Sequence, residues 1–152
     1  CLIFSRQNTT PLERDLDQIE NIEKGGYLLK ASESPSLSII ASGSEVQLAL
    51  DASEELQKNG VDANVVSMPC LDMFLEQSVE YQSSVLGKNM PTLVVEMAHP
   101  DSWHKLLNKS DKVLGINSFG ESAPAKDLLE HFGFTVSNVV AMAQSLLDEK
   151  SS

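Results

Sequence analysis

Arg6 stands between Ser5 and Gln7, directly after the apolar run Cys1-Leu-Ile-Phe4. All three side chains can donate hydrogen bonds, and a guanidinium at a strand end suits bidentate binding of a phosphate or carboxylate. The same residue reads equally well as the ordinary cation of a linker. The turn Ser42-Gly43-Ser44 is a second candidate, set between the run Leu37-Ser-Ile-Ile-Ala41 and an amphipathic stretch. A helix N-terminus there would offer unpaired N–H groups and a positive dipole end to an anion. Helix capping accounts for the same residues, with Ser44 as N-cap and Gln47 at the capping-box position. No Gly-Lys-Ser/Thr follows, and no G-x-G-x-x-G fingerprint is present. Gly120-Glu121-Ser122 makes a similar turn, but Glu121 would repel an anion.

The remaining chemistry-bearing residues are scattered. His99 lies five residues from His104 across Pro100, and His131 is remote from both. A metal site needs converging ligands, so these three are expected as surface or turn histidines and no metal ligand is expected in the chain. A cysteine nucleophile needs a base partner. Cys70 has none in its neighbourhood and is expected as a buried structural thiol. The many aspartates and glutamates form no matched acid–base pair, so they read as a solvated face and no catalytic residue is assigned.

Bulk properties narrow the class. The chain has 152 residues, 41% hydrophobic, a size and composition suited to one globular domain with a real core. A formal net charge of -11 argues against nucleic acid or an anionic membrane as partner, since both call for basic patches. No stretch approaches the roughly 20 apolar residues needed to span a bilayer, and no secretory leader is expected. Cys1 and Cys70 are the only cysteines and form neither metal spacing nor a disulfide framework, which suits a reducing cytoplasm. The first residue is Cys rather than Met, and the apolar run behind it has no obvious partner. The chain is therefore expected to be a piece of a longer protein.

The elements that would position these groups follow in order. Residues 5–24 are polar and expected as an exposed linker with one helical turn. Gly25-Gly26 punctuates, Tyr27–Ala31 is a short strand, and Ser32-Glu-Ser-Pro35-Ser is turn chemistry. A short turn favours an antiparallel run of Tyr27–Ala31 against Leu37–Ala41. The run Leu37–Ala41, the helix carrying Val46, Ala49, Leu50, Ser53 and Leu56, Gly60 as its stop, and the strand Ala63–Ser67 make one βαβ unit with a right-handed crossover. Helices are expected over 71–78, anchored by Met73, Phe74 and Val79, and over Tyr81–Val85, closed by Gly87. Thr92–Glu96 and Lys112–Asn117 read as strands. Between them Asp101 or Ser102 would cap a helix holding Trp103, Leu106 and Leu107. Pro124 would sit in the first turn of a helix ending at Gly133, and Val136 to Glu149 is the last amphipathic helix. Continuous apolar strands imply a sheet covered on both faces. The expected fold is α/β, a three-layer α/β/α sandwich. Its mixed sheet has about five strands, mostly parallel with the first antiparallel.

Several segments together carry a family resemblance: Phe4-Ser-Arg-Gln-Asn8, Ile22-Glu-Lys-Gly-Gly-Tyr27, Ala41-Ser-Gly-Ser-Glu-Val46, Val65-Val-Ser-Met-Pro69, Ser118-Phe-Gly-Glu-Ser-Ala-Pro124 and Phe132-Gly-Phe-Thr-Val136. In this order and spacing the chain resembles, over nearly its whole length, the C-terminal part of a transketolase of the bacterial and yeast type. The resemblance implies a parent enzyme of the pentose phosphate pathway. It would use thiamine diphosphate and magnesium or calcium to move a two-carbon ketol unit between sugar phosphates. The parent would be a homodimer. The resemblance also implies that residues 1–24 are the end of the preceding, pyrimidine-binding domain plus linker, and that 25–152 is the C-terminal domain. Its first strand would lie at an edge with another strand between it and Leu37–Ala41, so adjacency of those two stays open. Of the family's functional positions only the Ser-Arg-Gln arginine falls here, which makes Arg6 a ligand of the substrate phosphate. The cofactor motif, the metal ligands and the catalytic histidines lie outside this chain, so no cofactor is expected in it, and alone it is expected to fold without catalysing anything. Glu96-Met-Ala-His-Pro-Asp-Ser-Trp-His104 departs from the family pattern, where small residues and Trp-Tyr are common. A sister enzyme such as dihydroxyacetone synthase would share this region. The competing reading is a free-standing α/β module that binds an anion or nucleotide at Ser42–Ser44.

Overall fold

A computed structural model describes residues 8–151, without the side chains of residues 150 and 151. Arg6 and the expected strand Cys1–Phe4 lie outside the described residues. Five strands form one sheet: β1 (Tyr27–Lys30), β2 (Leu37–Ala41), β3 (Ala63–Ser67), β4 (Thr92–Val95) and β5 (Lys112–Leu114), in the order β1-β3-β2-β4-β5. β2 pairs in parallel with both β3 and β4, β4 with β5 in parallel, and β1 runs antiparallel to β3. The expected mixed sheet is therefore present. β1 is antiparallel to the rest as expected, and β3 lies between it and β2. The β1–β2 connection crosses the start of β3 instead of closing a hairpin. It is tied there by hydrogen bonds from Ser36 N to Asp62 O (2.8 Å) and from Ser32 N to the Asn64 side chain (2.9 Å).

Alternation along the buried strands sends successive side chains to opposite faces. Leu37, Ile39, Ala41, Val65, Leu93 and Val95 face one layer, built from α2 (Glu45–Lys58) and α6 (Val136–Ser151). Ile40, Val66 and Val94 face the other, with Met68, Phe74, Val85 and Trp103. That second layer carries α3 (Leu71–Leu75) and α4 (Val79–Leu86). The two layers bury a core on each side of the sheet, as a βαβ-built sheet requires.

Local details differ from expectation where side chains found other partners. The polar segment after Thr10 contains a six-residue helix, α1 (Leu16–Asn21), with a full Asp15–Gln18 capping box, followed by a 3-10 turn over Ile22–Lys24. Its Asp-x-x-Gln signature lies in the sequence, masked by the surrounding charges. Ser44 precedes α2 but makes no capping hydrogen bond, and Gln47 reaches Asp51 instead (2.7 Å). Ala52 joins the buried stripe while Leu50 is half-buried. Phe74 is buried, whereas Met73 on α3 is 44% exposed, and Val79, the first residue of α4 behind its Ser78 cap, is 73% exposed. The segment holding Trp103 is a 3-10 helix, Pro100–Lys105, capped by His99 rather than by Asp101 or Ser102. Pro124 is the N-cap of α5 (Ala125–His131) and not within its first turn.

Candidate functional site

Topology marks one end of the sheet. From β2 the chain passes through α2 to β3 on one side, and then through α3 and α4 to β4 on the other. The carboxyl ends of β2 and β4 therefore diverge, which is where open α/β sheets place their crevices. Ser42 follows β2 and Glu96 follows β4, and the Ser42 hydroxyl donates to Glu96 Oε2 at 2.7 Å.

Glu45, the first residue of α2, is 6% exposed beside them. Burial pushes its carboxyl above the usual carboxylate range. The Ser44 hydroxyl, which donates to Glu45 Oε1 at 2.6 Å, pulls it down, and the Glu96 charge pushes it up again. Both serine hydroxyls of the loop are thus given to carboxylates. An anion at the α2 N-terminus would meet Glu45 and Glu96 instead of free donors, so this geometry opposes the anion-binding alternative. The sequence signal for the pair was an acidic residue closing an otherwise apolar strand, Thr92–Glu96, and another directly behind Ser-Gly-Ser.

The raised carboxyl has a consequence for stability. Folded Glu45 keeps a proton that the unfolded chain releases, in the window from the ordinary value of 4.5 up to its raised one. Stability therefore falls as pH rises through that window. Glu45→Gln keeps the acceptor for Ser44 and removes the ionisation. It should be more stable than the parent at neutral pH, with the difference closing as pH falls toward 4.5. Urea midpoints across a pH series check this, and an offset that did not change with pH would contradict it.

Beside the carboxylates lies an apolar groove of about 800 Å³, lined by Met97, Ile116, Ala123, Leu128 and Phe132 with Glu121 at its polar side. A smaller hollow of about 210 Å³ lies among Leu12, Arg14, Ile22, Tyr27, Gly43 and Pro69. Tyr27 is fixed there by Arg14, whose Nε donates to the phenol oxygen at 2.6 Å.

The other sequence candidates do not converge. His99 and His104 stand 3.4 and 3.8 Å from Asp101, all three largely exposed. His131 packs edge-on against Phe132. Cys70 is half-buried rather than buried, and it is a free thiol whose backbone N–H donates to Gly25 O. Among the described residues no group of three His, Cys, Asp or Glu is arranged to hold a metal ion. None of their helices is long and apolar enough to cross a membrane.

Comparison with known proteins adds to this geometry. Residues 25–135 match the family model described as the transketolase-like C-terminal domain. The chain is 49% identical over 149 residues to transketolase 1 of Escherichia coli, covering 97% of this chain and 22% of that protein. Its backbone is similar to a mutant transketolase from Pichia stipitis, with a TM-score of 0.88 at 37% identity, covering 96% of this chain and 21% of that one. A Pichia stipitis transketolase in complex with sedoheptulose-7-phosphate matches with a TM-score of 0.82 at 37% identity, over 88% of this chain and 19% of that one. The chain spans about 22% of the length of the curated relatives it matches.

Proposed function

The chain belongs to the transketolase family, matching its C-terminal domain, and we propose from this that the longer polypeptide carrying it transfers a two-carbon ketol unit between sugar phosphates. The observation that carries the reading is identity of 43–49% to transketolases over 97–98% of the chain. The sugar-phosphate complex of the Pichia stipitis relative supports the substrate class. In this reading the polypeptide is a cytoplasmic homodimer of the pentose phosphate pathway that uses thiamine diphosphate with magnesium or calcium. The described residues do not fit that cofactor. They offer no cluster of metal-binding side chains, and the Ser42–Ser44 turn gives its two serine hydroxyls to the carboxylates of Glu96 and Glu45. The role of residues 25–152 is then structural, and residues 1–24 join them to the pyrimidine-binding domain.

Arg6 is the one substrate contact this reading assigns to the chain. Its Ser-Arg-Gln setting behind an apolar run supports binding of the sugar phosphate. A charge-assisted contact of this kind contributes about 1.5–3 kcal/mol. In the full-length enzyme Arg6→Ala should raise the Michaelis constant for phosphorylated sugars about 10- to 100-fold. Unphosphorylated substrates and cofactor binding should be little changed. Steady-state kinetics with both substrate types decide this: equal losses for the two would mean that Arg6 supports structure and does not recognise phosphate.

A further inference from the structure

The end of α2 brings a reactive pair to the surface. Among the chain's asparagines only Asn59 is followed by glycine. Most of the others precede a β-branched or long side chain, among them Ile22, Val65, Met90, Lys109 and Val139. The backbone nitrogen that follows an asparagine can attack the side-chain amide carbon, and glycine hinders that attack least because it has no β-carbon. Asn59 and Gly60 are both exposed, and a β-carbon at Gly60 would meet nothing within 4 Å, so water reaches the pair. The fold nevertheless holds both reacting groups. Gly60, at φ +79°, closes α2: its N–H donates to Gln57 O at 3.0 Å, and the Val61 N–H donates to Leu56 O at 3.0 Å. These are the two bonds of a Schellman ending. The Asn59 Nδ2 donates to Glu55 O at 2.9 Å, filling one of the carbonyls left over at the helix end. The attacking nitrogen is thus engaged by one carbonyl, and the amide it would attack by another.

We propose that Asn59-Gly60 is a site of spontaneous deamidation that the last turn of α2 holds shut, so that modification proceeds only while that turn is open. In the open state the Gly60 nitrogen gives its proton to water and bonds to Asn59 Cγ. The Cγ–Nδ2 bond breaks and Nδ2 leaves as ammonia, which closes a succinimide ring. Water then adds to either ring carbonyl, and the residue becomes aspartate or isoaspartate. Both products lose the donor to Glu55 O. Both also bring a negative charge to the negative end of the helix dipole, one turn from Glu55. Lys58 does not offset it freely, since its Nζ is already paired with Glu55 Oε2 at 2.8 Å. Isoaspartate in addition lengthens the main chain by a methylene between residues 59 and 60, which displaces both bonds of the ending. Opening of α2 therefore leaves a permanent mark that weakens its reclosure.

Peptide mass spectrometry of the full-length polypeptide tests it, on samples incubated at neutral pH in buffer and in enough urea to unfold the protein. In urea Asn59 should deamidate faster than Asn117, which precedes the small residue Ser118. In buffer Asn59 should deamidate at least about ten-fold slower than in urea. Val61→Ala trims a side chain that packs against the core at this ending. It should raise the rate in buffer at least about three-fold and leave the rate in urea unchanged. Asn59→Asp carries one of the products from the start, and its Gly60 amide should exchange hydrogen about three- to ten-fold faster than in the parent. Equal rates in buffer and urea, or an unchanged buffer rate in Val61→Ala, would overturn the role of the turn. Asn59 no faster than Asn117 in urea would overturn the site, and unchanged exchange in Asn59→Asp would overturn the loosening.

Discussion

Gly25→Ala should cost the fold about 3–5 kcal/mol, a large share of the stability of a domain this size. Gly25 has φ +83°, in the left-handed region where a side chain is strained. A β-carbon there would also collide with Cys70 O and lie 2.6 Å from Phe74 N. Both are backbone atoms and cannot swing away as a flexible side chain would. Gly25 O accepts from Cys70 N at 2.9 Å, so displacing this corner breaks the link between the start of β1 and the start of α3. Denaturant unfolding of the 152-residue chain checks the figure, and a loss under about 1 kcal/mol would mean that α3 shifts freely to admit the methyl group.

Phe74→Ala should cost about 3–5 kcal/mol, whereas Met73→Ala and Val79→Ala should each stay within roughly 0.5 kcal/mol. The Phe74 ring is fully buried against Met68 and the sheet, with the Tyr81 ring tilted at 6.1 Å. Removing it leaves a cavity that short helices pinned at both ends fill poorly. Met73 and Val79 are exposed in this chain, so little burial is lost there. Unfolding midpoints of the three variants, measured side by side, give the ordering. A Met73→Ala loss equal to that of Phe74→Ala would contradict the packing described for this layer.

This contrast shows where sequence reading stops. Apolar periodicity marked Met73, Phe74 and Val79 alike, because a residue's type does not reveal which way a helix of five residues turns. β2, β3 and β4 were legible because their runs are apolar on both faces, which only a covered sheet accepts. The place of β3 between β1 and β2 did not follow from the residues themselves, since a Ser-Pro turn gives chain direction but no neighbour; only the family resemblance implied a strand between them. It took Asn64 and Asp62 holding the connection to fix the order. At the carboxyl end the same limit applied to Ser44. Its type suited an N-cap, but a buried glutamate next in sequence accepted its hydroxyl. The segments Ser42–Glu45 and Ser118–Pro124 were legible as family marks, yet only the folded arrangement displays that they stand at one end of the sheet. Arg6 rests on sequence alone.

We propose that this chain serves a transketolase as a non-catalytic C-terminal domain. It is tested most directly by assaying ketol transfer between sugar phosphates, with thiamine diphosphate and magnesium present, for the full-length polypeptide and for the 152-residue chain side by side. Transfer is expected from the full-length protein and none from the 152-residue chain. Transfer by the 152-residue chain, or its absence from the full-length protein, would contradict it.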